Sequence, residues 1–391
     1  MKDGEHSLKT LDVKNIFGSE AFYLMDLINK SDFECYIVGG ALRNYFLGKS
    51  LLDIDLATSA EPSEIIKILK EEALEFDERA SKYGTLFVKI KKKRFELTSF
   101  RKDIETFGRS AKVLFSRDIN YDAQRRDFTF NAIYCSKEGN IVDPLNSLQD
   151  LQKKRLRFIG DAEKRIKEDF LRILRFFRFI AELDLKPVNI DQRNLEVIST
   201  LKDNLDMISK ERISGELKRI FLSKNPTISL EFLAKTKVYK KLLGYFYKKR
   251  IKKLIELETQ LELAPALERR FLSLNIKETV FIMSKEEKKY FEALKASLKD
   301  VSNPKYLGFN IGYKRGLDCL VIKAVRNNRI ISKKEQKLLE EGSKKIFPLT
   351  YSDIEKKLQD KFIANKKLEY LKNIWVKSDF RISSEKLKNY L

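Results

Sequence analysis

The amino-acid sequence predicts an α+β protein, with a mixed module up to about residue 160 and an all-helical second half. Short β-branched or aromatic runs (Cys35–Val38, Thr85–Ile90 and Phe95–Thr98) alternate in the first part with helical stretches such as 62–74. Most turn formers fall in the same part, at Gly39-Gly40, Gly48, Gly84, Gly108, Gly139 and Pro144. From about residue 160 the helical period takes over. A helix is expected over Asp161–Leu183, with Ile166, Phe170, Ile173, Leu174, Phe177 and Ala181 as one apolar stripe. Turn formers mark soft boundaries near Pro187–Asn194, Lys224–Pro226 and Ser302–Pro304, and there is no internal repeat.

Composition removes several kinds of chemistry. The chain has 391 residues and a single histidine, His6, so Ser-His-Asp hydrolysis and His-ligated zinc have no imidazole to work with. Cys35, Cys135 and Cys319 are too scattered for a disulfide framework or a thiolate metal site, and read as buried small residues or exposed thiols. No apolar run is long enough to span a membrane and the first residues do not resemble a signal peptide, so the expected location is cytoplasmic. Lys and Arg number 79 against 57 Asp and Glu, a formal charge of +22. That surplus suits a protein that neutralises the phosphates of a nucleic acid, although lysine also serves as solubilising surface.

What remains is carboxylate chemistry. In a short strand, Asp53-Ile54-Asp55 sends Ile54 into the core and both carboxylates to the opposite face, where they can bind a divalent metal. Two solvated aspartates in a turn have the same sequence. Just upstream, Val38-Gly39-Gly40-Ala41-Leu42-Arg43-Asn44 runs from an apolar strand through two glycines into a helical pattern. Paired glycines let backbone N–H groups approach phosphate oxygens, and Arg43 adds a charged fork. Strand, glycine pair, helix and Asp-x-Asp in close succession is a far more restrictive pattern than any one of them.

Together, Tyr36–Asn44 and Asp53–Thr58 resemble the head-domain signature of the class II tRNA nucleotidyltransferase and bacterial poly(A) polymerase superfamily. Arg125-Arg126-Asp127-Phe128-Thr129-Phe130-Asn131-Ala132 resembles its nucleotide-binding motif, and Glu168-Asp169-Phe170-Leu171-Arg172 its base-selecting motif. Glu211-Arg212-Ile213 with Glu216 resembles its neck motif, and Phe347-Pro348-Leu349-Thr350 with Trp375 resembles the tail of the bacterial CCA-adding enzymes. The resemblance implies a polymerase-beta-like nucleotidyltransferase head (1–155), a helical neck that selects the base (156–224), and a tRNA-binding body (225–320) and tail (321–391). It further implies that CCA is added to the 3′ end of tRNA from CTP and ATP with Mg²⁺. Asp53 and Asp55 would hold the metal, Gly39, Gly40 and Arg43 would cradle the triphosphate, Arg126, Asp127 and Asn131 would orient the nucleotide, and Asp169 with Arg172 would read the base.

The residue chemistry agrees with those roles. Cytosine and adenine each pair an exocyclic amine with a ring-nitrogen acceptor, so an Asp that accepts and an Arg that donates admit them and reject uracil and guanine. On a continuous helix Asp169 and Arg172 are neighbours one turn apart, which also fits an ordinary surface ion pair. Arg125 adds a further cation near the nucleotide, and Asp127 is placed to accept from a ribose hydroxyl. Glu96, sharing a strand face with Arg94 and Thr98, is a possible third carboxylate or an exposed edge-strand residue.

Two positions depart from the pattern. Asn44 stands where the family has Asp after the Arg, and Phe107-Gly108-Arg109 where Asp-Gly-Arg is usual in a loop whose length is otherwise kept. Lys237–Lys253 mixes eight Lys or Arg with Tyr239, Tyr245, Phe246 and Tyr247, as a helix gripping RNA would or as a solvated amphipathic helix would. The rival readings are a poly(A) polymerase on the same scaffold, which Arg79–Gly84 does not resemble, and a non-catalytic RNA-binding protein. No membrane and no obligate protein partner are expected.

Overall fold

A computed structural model describes residues 10–51, 53–107, 110–276, 278–298, 303–358 and 361–391. The chain forms two compact units, Met1–Leu242 and Leu243–Leu391. The fold is α+β, a mixed sheet followed by helices.

In the first unit, helices α1 (Val13–Phe17) and α2 (Ser19–Lys30) lead into strand β1 (Cys35–Val38), helix α3 (Gly40–Phe46) and strand β2 (Asp55–Thr58). Helix α4 (Pro62–Glu71) starts at a reciprocal cap between Glu61 and Glu64, with Pro62 in its first turn. Strands β3 (Glu75–Asp77), β4 (Thr85–Ile90), β5 (Lys93–Ser99), β6 (Arg101–Phe107) and β7 (Ser110–Phe115) follow, then helix α5 (Ile119–Arg125), β8 (Tyr134–Ser136), β9 (Ile141–Val142) and helix α6 (Ser147–Gln152). Seven strands make one sheet in the order β3-β4-β5-β2-β1-β8-β9, and β6 with β7 forms a separate hairpin. Among the described residues the one parallel pairing in the large sheet, β2 with β5, lies at its centre. Val38, Ala57, Phe100, Ala123, Ala132, Tyr134 and Ile159 form a core against it. Glu96 therefore sits on a central strand, not on an edge.

The helix expected over Asp161–Leu183 is two helices, α7 (Ala162–Glu168) and α8 (Leu171–Glu182). Asp169 breaks it. Its backbone is extended (φ −154°, ψ 106°) and its carboxylate accepts from the Leu171 N–H at 3.1 Å, the competition by which Asp favours helix ends over interiors. The buried face of α8 is also wider than a stripe, since Phe176, Arg178, Phe179 and Ile180 are buried as well. Helices α9 (Gln192–Leu201), α10 (Lys210–Leu222), α11 (Thr227–Lys235) and α12 (Val238–Leu243) complete the unit.

The second unit is helical: α13 (Lys248–Gln260), α14 (Leu267–Leu274), α15 (Lys285–Ser297), α16 (Pro304–Arg326), α17 (Lys333–Ser343), α18 (Tyr351–Leu358), α19 (Lys361–Lys377) and α20 (Ser384–Lys388). Lys237–Lys253 is thus not one helix: α12 and α13 flank a break that begins at Gly244, whose φ of +96° leaves the helical region. Tyr239 is fully buried, while Tyr245 is exposed. Inside α14 and its neighbours, Arg269 and Arg270 are buried against Glu258 and Asp318, a closed set of opposite charges. The tail segment packs Leu349, Ile354, Ala364, Leu371, Trp375 and Leu387 into one cluster, with Phe347 against it. All three cysteines are buried. Among the described residues no helix is long and apolar enough to cross a membrane.

Helices α16 and α17 meet through glycines. A Cβ on Gly308 would lie 2.1 Å from the Leu339 carbonyl oxygen, and one on Gly342 would lie 1.8 Å from that of Lys305. Backbone cannot yield to such contacts without parting the helices. Gly308→Ala or Gly342→Ala is expected to cost about 1–3 kcal/mol, read as a lowered thermal midpoint. An unchanged midpoint would show the two helices free to separate.

Candidate active site

The pairing of β1 with β2 sets Val38 opposite Asp55, so the chain leaves β1 into Gly39 beside that carboxylate. Gly39 has φ +71°, and a Cβ there would lie 3.5 Å from Arg126 Nη1. The turn therefore needs glycine for its backbone conformation. The parallel register of β2 and β5 places Glu96 opposite Asp55. Asp53 and Ile54 precede the strand instead of lying in it, and Ile54 is half-buried, not part of the core. On one side β1 turns away at Gly39 and leaves these two residues no ladder partner there.

Asp53, Asp55 and Glu96 share this end of the sheet, and among the described residues none of their carboxylates has a hydrogen bond or an ion pair. Loss of solvent raises the Asp55 pKa above the ordinary value; the charge of Asp53 adds to this, and those of Arg126 and Arg43 oppose it. Glu96, though still reached by solvent, is raised by desolvation and then by Asp55. Among the described residues no three carboxylate, imidazole or thiol side chains converge tightly enough to hold an ion by themselves. The built feature is a pair with a third carboxylate nearby. That suits a hard cation such as Mg²⁺, which takes one or two protein carboxylates and completes its shell with water and substrate phosphate.

Arg43 reaches over this turn from α3. Its guanidinium donates to Asn131 Oδ1 at 2.6 Å and to Asn44 Oδ1 at 3.2 Å, both uncharged, and lies 5.0 Å from the centre of the Phe179 ring. No ion pair to it occurs among the described residues. Burial, more than any neighbour, pushes its pKa down to about 10, which leaves it charged at neutral pH. The departure at Asn44 is explained here: the amide serves Arg43 and donates to the Ser50 carbonyl at 3.2 Å without neutralising the cation.

Behind Arg43 lies a chain of buried polar contacts. Asn131 donates through Nδ2 to Asp127 Oδ1 at 2.8 Å. The Phe128 N–H donates to the same oxygen at 2.9 Å, and Arg175 donates through Nε to Asp127 Oδ2 at 2.6 Å. Burial opposes ionisation of Asp127, yet the charge of Arg175 and these hydrogen bonds hold it well below the usual carboxylate range. Arg175 stands 3.8 Å from Glu216 of α10, and Glu216 pairs with Arg178 at 2.9 Å. Arg178 in turn lies 4.4 Å from the centre of the Phe179 ring. Asp127, expected to face a ribose, is thus also the centre of a network.

Arg126 is held chiefly by a second carboxylate, and its Nη1 also donates to the Asn131 carbonyl at 3.5 Å. It donates to Asp122 Oδ2 at 2.8 and 3.0 Å and to the Tyr134 hydroxyl at 3.1 Å, while Arg125 takes the other Asp122 oxygen. Burial opposes ionisation of Asp122, but the two arginines outweigh it and bring its pKa to about 2.

Asp169 and Arg172 do not pair with each other. Because the helix breaks between them, Asp169 turns to α10 and accepts from Arg212 at 3.1 and 2.6 Å. Arg172 binds Glu168 and donates to the Arg165 carbonyl at 2.6 Å. Both remain within electrostatic reach of the network, Arg172 acting on Asp127 and Asp169 on Arg175. Asp122, Arg175, Arg178 and Phe179 carry no motif in the sequence, whereas Arg212 and Glu216 are expected as part of the neck motif. Asp122 was the most accessible of them, standing one helical turn before both arginines it binds. Gly108 and Arg109 lie outside the described residues.

Residues 35–157 match the family model described as the poly A polymerase head domain. That segment of the chain is similar to this head-domain family. Residues 188–248 match a second model, described as a probable RNA and SrmB-binding site of polymerase A. A human mitochondrial CCA tRNA nucleotidyltransferase 1 is 37% identical over 216 residues, 55% of this chain and 50% of that protein. A CCA-adding enzyme of Streptococcus uberis is 36% identical over 227 residues, 58% of this chain and 55% of that protein. The chain thus spans about half the length of the curated relatives it matches. The similarity in structure is longer. A Bacillus stearothermophilus CCA-adding enzyme solved with CTP superposes with a TM-score of 0.75 at 25% identity, covering 92% of this chain and 93% of that one. A Thermotoga maritima CCA-adding enzyme solved with tRNA shares the fold at a TM-score of 0.65 and 19% identity, covering 98% and 96%.

The raised pKa of Asp55 has a consequence for stability. A carboxylate that holds its proton more tightly folded than unfolded lowers stability as pH rises through the ordinary carboxylate range, and the deficit persists above it. Asp55→Asn is therefore expected to raise the thermal midpoint at neutral pH, with the gain vanishing below about pH 4, the ordinary aspartate value. A midpoint lowered by the substitution at pH 7 would contradict the assignment.

Proposed function

We propose that the protein is a cytoplasmic tRNA nucleotidyltransferase that adds CCA to the tRNA 3′ end from CTP and ATP and releases pyrophosphate. The observation that carries the reading is a half-buried Arg43 with no ion pair among the described residues, held within electrostatic reach of Asp55, which with Asp53 also has none. A guanidinium and carboxylates that make no direct ion pair keep their charges open to a ligand, and both are satisfied when a nucleotide triphosphate arrives with divalent metal. Similarity to the CCA-adding enzymes supports the choice of tRNA as acceptor.

In this reading Asp53 and Asp55 would hold Mg²⁺, with Glu96 available as a third carboxylate. Bound there, the ion would supply Lewis acidity at the attacked α-phosphate and lower the pKa of the tRNA 3′-hydroxyl. The backbone of Gly39 and Gly40, with Arg43, cradles the triphosphate. Asp127 and Asn131 fix the direction of Arg43 and orient the nucleotide with Arg126. The 3′-oxygen attacks the α-phosphorus, the bond from that phosphorus to the bridging oxygen breaks, and pyrophosphate leaves with the electron pair.

Asp169 and Arg172 read the base. Each is held from behind, Asp169 by Arg212 and Arg172 by Glu168, and the Asp169 carboxylate retains acceptor positions that Arg212 does not use. Holding the pair from two elements fixes its geometry better than a surface pair between the two would. The wrong base then leaves buried groups unpaired, the basis of strong discrimination. The head (1–155) carries the reaction, the neck (156–224) the base choice, and the body (225–320) and tail (321–391) the grip on tRNA.

The test is product length. Transfer RNA lacking its 3′ end, incubated with all four nucleotides and Mg²⁺, should grow by about three nucleotides and stop. Long A tails made with ATP alone on unstructured RNA would favour the poly(A) polymerase reading. Asp53→Ala or Asp55→Ala should abolish addition of both C and A while tRNA binding, followed by filter retention, stays near normal. Incorporation of CTP at the parental rate by the double variant would refute the metal assignment.

A further inference from the structure

Arg172, assigned above to the base, is itself held by a second arginine. Arg165 stands one helical turn before Glu168 on α7, and each of its side-chain nitrogens has a different acceptor. Nε donates to the Ile159 carbonyl at 3.1 Å, Nη2 to the Gln124 carbonyl at 2.6 Å and Nη1 to Glu168 Oε2 at 2.9 Å. The same Glu168 oxygen binds Arg172 Nη1, which also donates to the Arg165 carbonyl at 2.6 Å. Arg165 thus meets Arg172 twice, through a shared carboxylate and through its own backbone.

The other acceptors belong to the segment that carries the nucleotide-orienting residues. Gln124 lies in the last turn of α5, where carbonyls have no partner within the helix, and the next carbonyl, that of Arg125, accepts from Arg172 Nη2 at 3.4 Å. Two cations, one from α7 and one from α8, therefore close the C-terminal end of α5, the end that favours positive charge. Asp122, which binds Arg126, stands on the same helix. The third acceptor, Ile159, donates its own N–H to the Asp127 carbonyl at 3.1 Å. Solvent reaches little of either guanidinium, 15% for Arg165 and 12% for Arg172, so water is a poor substitute for a lost contact. Only a planar fork spans three such acceptors, and a lysine would offer one nitrogen.

We propose that Arg165 is a positioning residue for base selection: it fixes Arg172 relative to Arg126 and Asp127, and so sets how strongly CTP is preferred to UTP. Its nitrogens are committed to protein acceptors, and it acts on the base through Arg172. Cytosine presents an acceptor where uracil presents an N–H, so a guanidinium held in place meets uracil donor against donor. With Arg165 gone, Glu168 keeps Arg172 as its cation and α7 loses two of its ties to the head. Arg172 can then draw back towards Glu168, and the clash that rejects uracil is relieved. The inference rests on the assignment of Arg172 to the base, and adds the group that aims it.

The test compares kcat/KM for CTP with kcat/KM for UTP, on tRNA lacking its 3′ end, in the full chain carrying Arg165→Met, Arg172→Ala or both. A merely structural role lowers the amount of active protein, which cancels in the ratio of two values taken on one preparation. Arg165→Met should lower the CTP-to-UTP ratio about tenfold. Added to Arg172→Ala it should leave the ratio of that variant unchanged, because it acts through the group already removed. If Arg165→Met does not fold, Arg165→Lys, which keeps the charge and loses the fork, carries the same expectation. A parental ratio in the Arg165 variant, beside a lowered ratio in Arg172→Ala, would overturn the proposal and leave the base-reading assignment standing. A parental ratio in Arg172→Ala would overturn the assignment itself, and the proposal with it.

Discussion

The carboxylate of Asp127 is the point on which the candidate site depends. It is buried, and a buried carboxylate survives as an anion only where donors and a cation surround it. Arg175 supplies the cation from α8, and Asn131 and the Phe128 N–H supply hydrogen bonds from its own segment. Asn131 passes the constraint to Arg43, whose guanidinium is fixed between that amide and the Phe179 ring. Glu216 extends the same set of interactions to α10. One ionised group thereby fixes the relation between the glycine turn of the sheet and two helices far along the chain.

Two kinds of carboxylate coexist within this unit, and their opposite titration marks their use. Asp122 and Asp127 are held below the ordinary range by arginines and add stability at neutral pH. Asp55 and Glu96 are held above it and subtract. Carboxylates that weaken the empty protein are expected where a cation is to be bound, because the cation supplies what the fold withholds. Arg43 makes the complementary case, a cation that the fold surrounds with neutral oxygens.

Much of this was legible in the sequence where the determinants are local. The runs read at Cys35–Val38 and Thr85–Ile90 are strands over those same residues, and the second half is helical. The glycine turn, Arg43 and Asp55 are brought together as their spacing suggested. Local spacing failed where a side chain had a better partner far away. Asp169 looked like a helix-face neighbour of Arg172, but Arg212 and the Leu171 N–H compete for its carboxylate and the helix yields. No local spacing marks Arg175, because its partner Asp127 is 48 positions distant. The alternation at Asp53-Ile54-Asp55 implied a strand that the turn of β1 cuts short at Asp55. Pairings of this kind depend on which elements meet, and no periodicity in the chain records that.

The central claim is that Arg175 acts on the nucleotide through Asp127, Asn131 and Arg43 as one connected unit. A double-mutant cycle on kcat/KM for CTP, using Arg43→Ala, Arg175→Ala and the pair, measures this directly. If these groups act as a unit, either single change already removes what Arg43 contributes, and the double variant should be little worse than the more impaired single one. Losses that multiply, so that the two changes add in free energy, would contradict the connection and make Arg175 an independent contributor.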